Sequence, residues 1–152
     1  MGNDADALEQ AIELACRAHQ GQRYPSPEPE PYILHLFRVM LAVRGGPAPM
    51  AAVLHDVLED TDVTPQDLRD TGVPPPVVDA VVALTHRPEH TYEQYTEHVA
   101  GNHLARRVKL ADLADNLANN QSLPQTPDVV ARIKRYELAV NVLTSEDGLA
   151  RR

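Results

Sequence analysis

The stretch His55-Asp56-Val57-Leu58-Glu59-Asp60 sets an imidazole and three carboxylates in an otherwise apolar run, with Met50-Ala51-Ala52-Val53-Leu54 before it. Buried carboxylates without partners are costly or take up protons, so this concentration calls for a cation or a substrate beside it. On one continuous helix, residues four apart share a face, which places His55 over Glu59 and Asp56 over Asp60. One helix then offers two metal ligands and, a turn later, two acid-base groups. Imidazole mixed with carboxylate suits Mn²⁺, Zn²⁺ or Fe²⁺, whereas Ca²⁺ and Mg²⁺ recruit oxygen ligands. A His-Asp pair alone also describes a solvated, salt-bridged helix end.

Two further apolar stretches carry polar groups. His35 lies within Tyr32 to Arg44, where a histidine is either a hydrogen-bonded core residue or a ligand. Asp112 and Asn116 are one turn apart among apolar residues, and a bridge from Lys109 to Asp112 accounts for that segment locally. A metal shared among the three segments explains all three anomalies at once.

The elements that must position these groups follow from helical spacing and stop signals. The first helix covers 4–19, with Cys16 on its apolar face, and the second covers 32–44, stopped by Gly45-Gly46. The third is a single helix over 47–61. Thr64-Pro65-Gln66-Asp67 opens a short one ending at Gly72, and the prolines at 74–76 open another through Leu84. Three more cover 92–98, 103–120 and 126–143. Apolar positions in the last two are Leu104, Val108, Leu110, Ala111, Ala114, Leu117 and Ala118, then Val129, Val130, Ile133, Tyr136, Leu138, Ala139, Val142 and Leu143. The proline-rich segment 22–31 is a loop. Nothing alternates with period two, so the expectation is an all-α bundle of seven or eight helices. At this length it forms one domain over 1–152, with a C-terminal packing helix over 127–145.

Composition narrows the function. With 22 acidic against 14 basic residues and a net charge of −8, the chain repels nucleic-acid phosphates. Its basic groups cluster only at Arg106-Arg107-Lys109 and in the terminal Arg151-Arg152 pair. A small phosphorylated ligand still binds where a metal ion and placed cations supply local positive charge. The single Cys16 suits a reducing compartment, no apolar run approaches the ~20 residues of a membrane span, and the acidic N-terminus is unlike a signal peptide. These features predict a cytoplasmic protein that neither enters a membrane nor is exported. His86-Arg87 reads as solvated surface, with an approach to a phosphate as the alternative, and His90, His98 and His103 read as exposed. Tyr92, Glu93 and Tyr95 read as packing residues, with a cleft rim as the alternative.

The order His35, His55-Asp56, Glu59-Asp60-Thr61 and Val108-Lys109-Leu110-Ala111-Asp112 with Asn116 resembles the HD-domain hydrolases of the RelA/SpoT type. His19-x-x-Gln22-Arg23 and Pro31-Tyr32-Ile33-x-His35 match the start of that family, and the match runs from about Ala7 to Asn120. The resemblance implies an HD-domain helical bundle with one Mn²⁺ held by His35, His55, Asp56 and Asp112. It also implies Glu59 and Asp60 as the acid-base pair, Asn116 near the ribose and Arg23 in the basic region against the base. Members remove the 3′-pyrophosphate from (p)ppGpp, or in small stand-alone relatives also the 2′-phosphate from NADPH. A nucleotide-binding sensor without turnover is the reading from another class, and the retained Glu59-Asp60 pair argues against it. Two departures stand out. Arg23 is followed by Tyr24-Pro25-Ser26-Pro27 in place of a second cation and an Asp-Gly type turn, and Leu113 stands where an arginine is common. With no synthetase, TGS or ACT segment in view, a hydrolase without the opposing synthetic activity is expected.

Overall fold

Helix starts follow from local chemistry in the computed structural model, which describes residues 3–145. Arg151-Arg152, and with it the end of the expected 1–152 unit, lies outside the described residues. The Asn3 side chain accepts from the Asp6 N–H and Asp6 reaches back to Asn3, opening α1 (Asp4–Ala18). Thr64 with Asp67 does the same for α5 (Pro65–Asp70), and Thr91 with Gln94 for α7 (Tyr92–Ala100). Each box satisfies donors that a first turn leaves free. Proline in the first turn, where no N–H is needed, opens α6 (Pro75–Ala83) and α9 (Pro127–Thr144). Asn102 caps α8 (His103–Ser122). α2 (Ile33–Ala42) stops ahead of Gly45 and Gly46, which take φ of 82° and 56°, a region that side chains with a Cβ avoid.

The single helix expected over 47–61 is instead two, α3 (Ala48–Leu54) and α4 (Val57–Asp60). The break falls on the chemistry-bearing pair. His55 Nδ1 lies 2.6 Å from the Ala52 carbonyl and the His55 backbone N–H reaches the same oxygen at 3.3 Å. That oxygen is the one a continuous helix would offer to Asp56. Asp56 turns to φ −103°, ψ 0°, yet the Asp60 N–H still reaches the Asp56 carbonyl at 3.0 Å and carboxylate oxygens of the two lie within 4.8 Å, so Asp56 and Asp60 stay on one side. His55 is buried, while Glu59 and Asp60 are exposed rather than carried on a buried helix.

α3 is buried at Ala48 and at every residue from Met50 to Leu54, as befits a helix that is apolar all round. α1, α2, α6 and α8 pack around it, and α9 closes the bundle against α7 and α8. Among the described residues there are nine helical segments, the ninth arising from the α3/α4 break. None is long and apolar enough to cross a membrane.

Six local expectations are corrected. Segment 22–31 folds as a small hairpin in which β1 (Arg23–Tyr24) pairs antiparallel with β2 (Glu30–Pro31); a two-strand edge tolerates its prolines. Cys16 is exposed, because α1 buries Ala11 and Ala15 and the next residue has turned about 100° away. On α8 the face that carries Val108 and Asp112 turns inward, so Leu113 is buried and Ala114 and Ala118 are exposed. On α9, Val129, Ala139 and Leu143 are buried while Val130, Leu138 and Val142 are exposed. Nor do Arg106-Arg107-Lys109 make a stripe: Arg106 is buried, Arg107 donates to the Arg44 carbonyl, and Lys109 to Asp112. His98 and His103 are exposed as expected, but His90 is half-buried with its ring 4.7 Å from that of His98.

Candidate active site

α2 supplies His35, the α3/α4 turn supplies His55 and Asp56, and α8 supplies Asp112; one donor atom from each lies within 4.8 Å of the others. His35 Nε2 is 3.0 Å and His55 Nε2 3.2 Å from Asp112 Oδ1, and His55 Nε2 is 3.1 Å from Asp56 Oδ2. The outer ring nitrogens decide the tautomers. His55 Nδ1 faces the Ala52 carbonyl and His35 Nδ1 faces Asp115 Oδ2, both at 2.6 Å. A carbonyl or carboxylate only accepts, so both Nδ1 atoms carry hydrogen and both Nε2 lone pairs face inward, toward carboxylate oxygens. Ring lone pairs converging on carboxylates in a buried site take up either a proton or a metal cation. The cluster is therefore compatible with a divalent metal, and the Nδ1 partners are of the kind that orient metal-bound histidines.

The electrostatics agree. Burial opposes charging the two histidines, but Asp112 with Asp115 at His35, and Asp56 with Asp112 at His55, outweigh it and raise both pKa values. Burial likewise opposes ionising Asp112, yet Lys109 and then His55 hold its carboxyl well below the usual range. Lys109 Nζ lies 2.8 Å from Asp112 Oδ2. The local bridge and the donor role thus coexist on one carboxylate, through different oxygens.

A second layer holds these groups. The Tyr32 hydroxyl donates to Asp56 Oδ2 at 2.6 Å, and the Asn116 amide donates to Asp112 Oδ1 at 3.0 Å. Arg38 Nε fixes Asp115 Oδ1 at 2.8 Å and its guanidinium reaches Glu30 at 2.6 Å. Tyr24, one residue past Arg23, is buried; its ring lies 4.7 Å from that of His35 at 7° between planes, and its hydroxyl donates to Asn116 Oδ1. Strand alternation sends neighbouring side chains to opposite faces, which leaves Arg23 exposed and bonded to its own preceding carbonyl. Gln22 links His19 Nδ1 to the Asp60 carbonyl, tying α1 to α4.

Glu59 and Asp60 gather with Asp56 in a second acidic group. Glu59 Oε1 accepts from the His86 backbone N–H at 2.6 Å, so the loop after α6 is part of the site rather than solvated surface. Burial, then the charges of Asp56 and Glu59, push Asp60 up to about 6. Burial raises Glu59 too, against the opposing His86 hydrogen bond.

Asp56, Asp112, Glu59 and Asp60 open on one cavity of about 520 Å³, lined also by Tyr24, Lys109 and Asn116 and by His86, Tyr92, Tyr95, Arg132, Arg135 and Tyr136. That size holds a nucleotide-scale ligand. Arg23 is not among the lining residues. Asp115, three residues past Asp112, and the α9 group Arg132, Arg135 and Tyr136 were not predicted. Spacing on α8 carries the signal for Asp115; nothing in the local pattern of α9 does so for its three.

No protein-family model matches the chain. It is 33% identical over 141 residues to the guanosine-3′,5′-bis(diphosphate) 3′-pyrophosphohydrolase MESH1 of Danio rerio, covering 85% of this chain and 77% of the fish protein. The chain belongs to the MESH1 family. Its identity to the Vibrio cholerae guanosine-3′,5′-bis(diphosphate) 3′-pyrophosphohydrolase is 34% over 148 residues, spanning 89% of this chain but 21% of that much longer protein. The solved structure of a metazoan orthologue of SpoT, described as hydrolysing ppGpp, superimposes with a TM-score of 0.78 at 24% identity, over 98% of this chain and 88% of that one. The HD-domain helical fold is thereby shared, and MESH1 membership makes the chain a hydrolase with a His/Asp cluster compatible with a divalent ion.

Proposed function

We propose that the chain is a Mn²⁺-dependent hydrolase that removes the 3′-pyrophosphate from ppGpp or pppGpp, leaving GDP or GTP. The observation that carries this reading is the convergence of four donor atoms and the Glu59-Asp60 pair at one end of a nucleotide-sized cavity. Membership of MESH1, whose members bear that activity in their names, supports it. His35, His55, Asp56 and Asp112 are the ligands in this reading, and the mixed nitrogen and oxygen set suits manganese. A divalent ion bound there supplies Lewis acidity, a lowered pKa for water and charge to offset the phosphates.

The chain's own residues do the rest. Glu59, held through Oε1 by the His86 N–H, keeps Oε2 free to accept a proton from the attacking water. Asp60, with a pKa pushed up to about 6, takes up a proton more readily than an ordinary aspartate, and its protonated form can pass that proton to the leaving oxygen. Asn116 faces the ribose, with its amide oriented by Tyr24 and Asp112. Tyr24 and Pro25 wall the side assigned to the base, and Arg23 stays an exposed cation outside the lining. α9 lines the same cavity as α8, which supports treating 1–152 as one hydrolase domain. The exposed thiol of Cys16 fits a reducing cytoplasm.

Purified protein with Mn²⁺ is expected to convert ppGpp to GDP and pyrophosphate. Glu59→Gln should lower kcat by about 10²–10⁴-fold with the metal content unchanged by elemental analysis. Release of phosphate from NADPH but no pyrophosphate from ppGpp would reassign the substrate, and ppGpp binding without turnover would make the protein a sensor.

A further inference from the structure

His19 is a buried histidine with no task in the reaction above. It ends α1, and Gly21, at φ 84°, turns the chain so that Gln22 Oε1 meets His19 Nδ1 at 2.7 Å. The other end of the Gln22 amide fixes the roles. Gln22 Nε2 donates to the Asp60 carbonyl at 2.9 Å, a group that only accepts, so Oε1 faces the ring and His19 Nδ1 carries the hydrogen. Burial holds the His19 pKa below its ordinary value, against the Gln22 hydrogen bond, and leaves Nε2 as a bare lone pair near pH 7. That nitrogen is buried and makes no hydrogen bond. An unsatisfied buried acceptor is destabilising. A phenylalanine would fill the space without one, so what the imidazole adds here is its Nδ1–H.

The far end of this link falls on a weak element. α4 is one turn long, and its last carbonyls have no partner within the helix. Gln22 takes the carbonyl of Asp60, the residue whose carboxyl handles the proton. The ring face of His19 lies against Tyr32, 5.3 Å between centroids and 25° between planes, and the Tyr32 hydroxyl holds Asp56. Neither His19 nor Gln22 is among the residues lining the cavity.

We propose that His19 and Gln22 form a positioning pair for the hydrolysis. His19 Nδ1–H orients the Gln22 amide, and that amide pins the end of α4 so that Asp60 faces the leaving oxygen. The role rests on Asp60 as the proton donor of the reading above.

Steady-state kinetics on the full chain with Mn²⁺ and ppGpp separate this from a packing role. Gln22→Met removes the link to Asp60, while His19→Phe keeps a ring against Tyr32 and loses the donor. Each should lower kcat by about tenfold to a hundredfold and leave KM and metal content within about twofold. The double variant should be no slower than the slower single one, because the two bonds act in series. His19→Asn, whose amide N–H stands near the place of Nδ1–H, should recover part of the kcat lost in His19→Phe. Gln22 is half-buried, so its variant carries the test should His19→Phe not fold. Hydrogen exchange reads the same link without turnover: the Asp60 N–H, bonded to the Asp56 carbonyl at 3.0 Å, should exchange faster in both single variants. Variants that melt lower yet keep the wild-type kcat and Asp60 exchange overturn the proposal and make His19 a packing residue. So do losses that multiply in the double variant, or a fall confined to metal content, which would put the effect at Asp56 through Tyr32. If wild type fails to hydrolyse ppGpp, the assigned reaction falls, and exchange at Asp60 alone decides whether the pair holds α4.

Discussion

At the residue scale, each donor atom is aimed by a partner behind it. The Ala52 carbonyl and Asp115 turn the two imidazoles inward, Tyr32 fixes Asp56, and Lys109 with Asn116 fixes Asp112. The same acidic surround raises the pKa of both histidines, so protons and a divalent ion compete for one pair of lone pairs. The sign follows. Metal uptake releases protons and weakens as pH falls, while in protein stripped by EDTA the charged imidazoles stabilise the fold below their unfolded pKa of about 6.5 and that contribution fades as pH rises through the raised folded values. Titrating Mn²⁺ near pH 5.5 and 7.5, in buffers of different ionisation enthalpy, should show tighter binding and net proton release at the higher pH. Equal affinity at both would separate metal binding from these imidazoles.

At the scale of the element, α8 does two jobs with one face. The stripe Ala105, Val108, Asp112 and Leu113 is buried, so the turn that carries Asp112 into the site also carries Leu113 into the core. Leu113, the departure from an expected arginine, is wholly buried. Truncation to alanine should cost about 2–5 kcal/mol in urea unfolding. Leu113→Arg should place an unpaired charge in the core and cost more, with insoluble protein as the extreme outcome. A Leu113→Arg protein as stable as wild type would mean that α8 can rotate. The α3/α4 break is the other lesson at this scale. Spacing predicted one helix, but the His55 side chain competes for the carbonyl that would have continued it, and periodicity does not register such competition.

At the scale of the molecule, three segments spread from His35 to Asp112 meet at a site that no one of them can form. A ligand that binds only the assembled site stabilises the fold by mass action, about 2.7 kcal/mol when free metal is 100 times its Kd. Differential scanning calorimetry should therefore show EDTA lowering the melting temperature by roughly 5–10 °C, with Mn²⁺ restoring it. His55→Ala should remove the response. A melting curve indifferent to both chelator and metal would detach the cluster from metal binding.

The sequence by itself determined the helical class, the helix starts other than that of α4, and the candidate donor residues, because capping, proline placement and polar groups in apolar runs act over a few neighbours. His35, His55, Asp56 and Asp112 were legible as anomalies before any contact between them was known. Which oxygen of Asp112 faces the histidines was decided only by tertiary structure, and so was the replacement of Arg23 by Tyr24 in the cavity wall. The arrival of Arg132 and Arg135 from α9, beyond the recognisable motifs, belongs there too. Strand alternation on a two-residue hairpin and the docking of a distant helix depend on packing between segments, which leaves no local pattern to read.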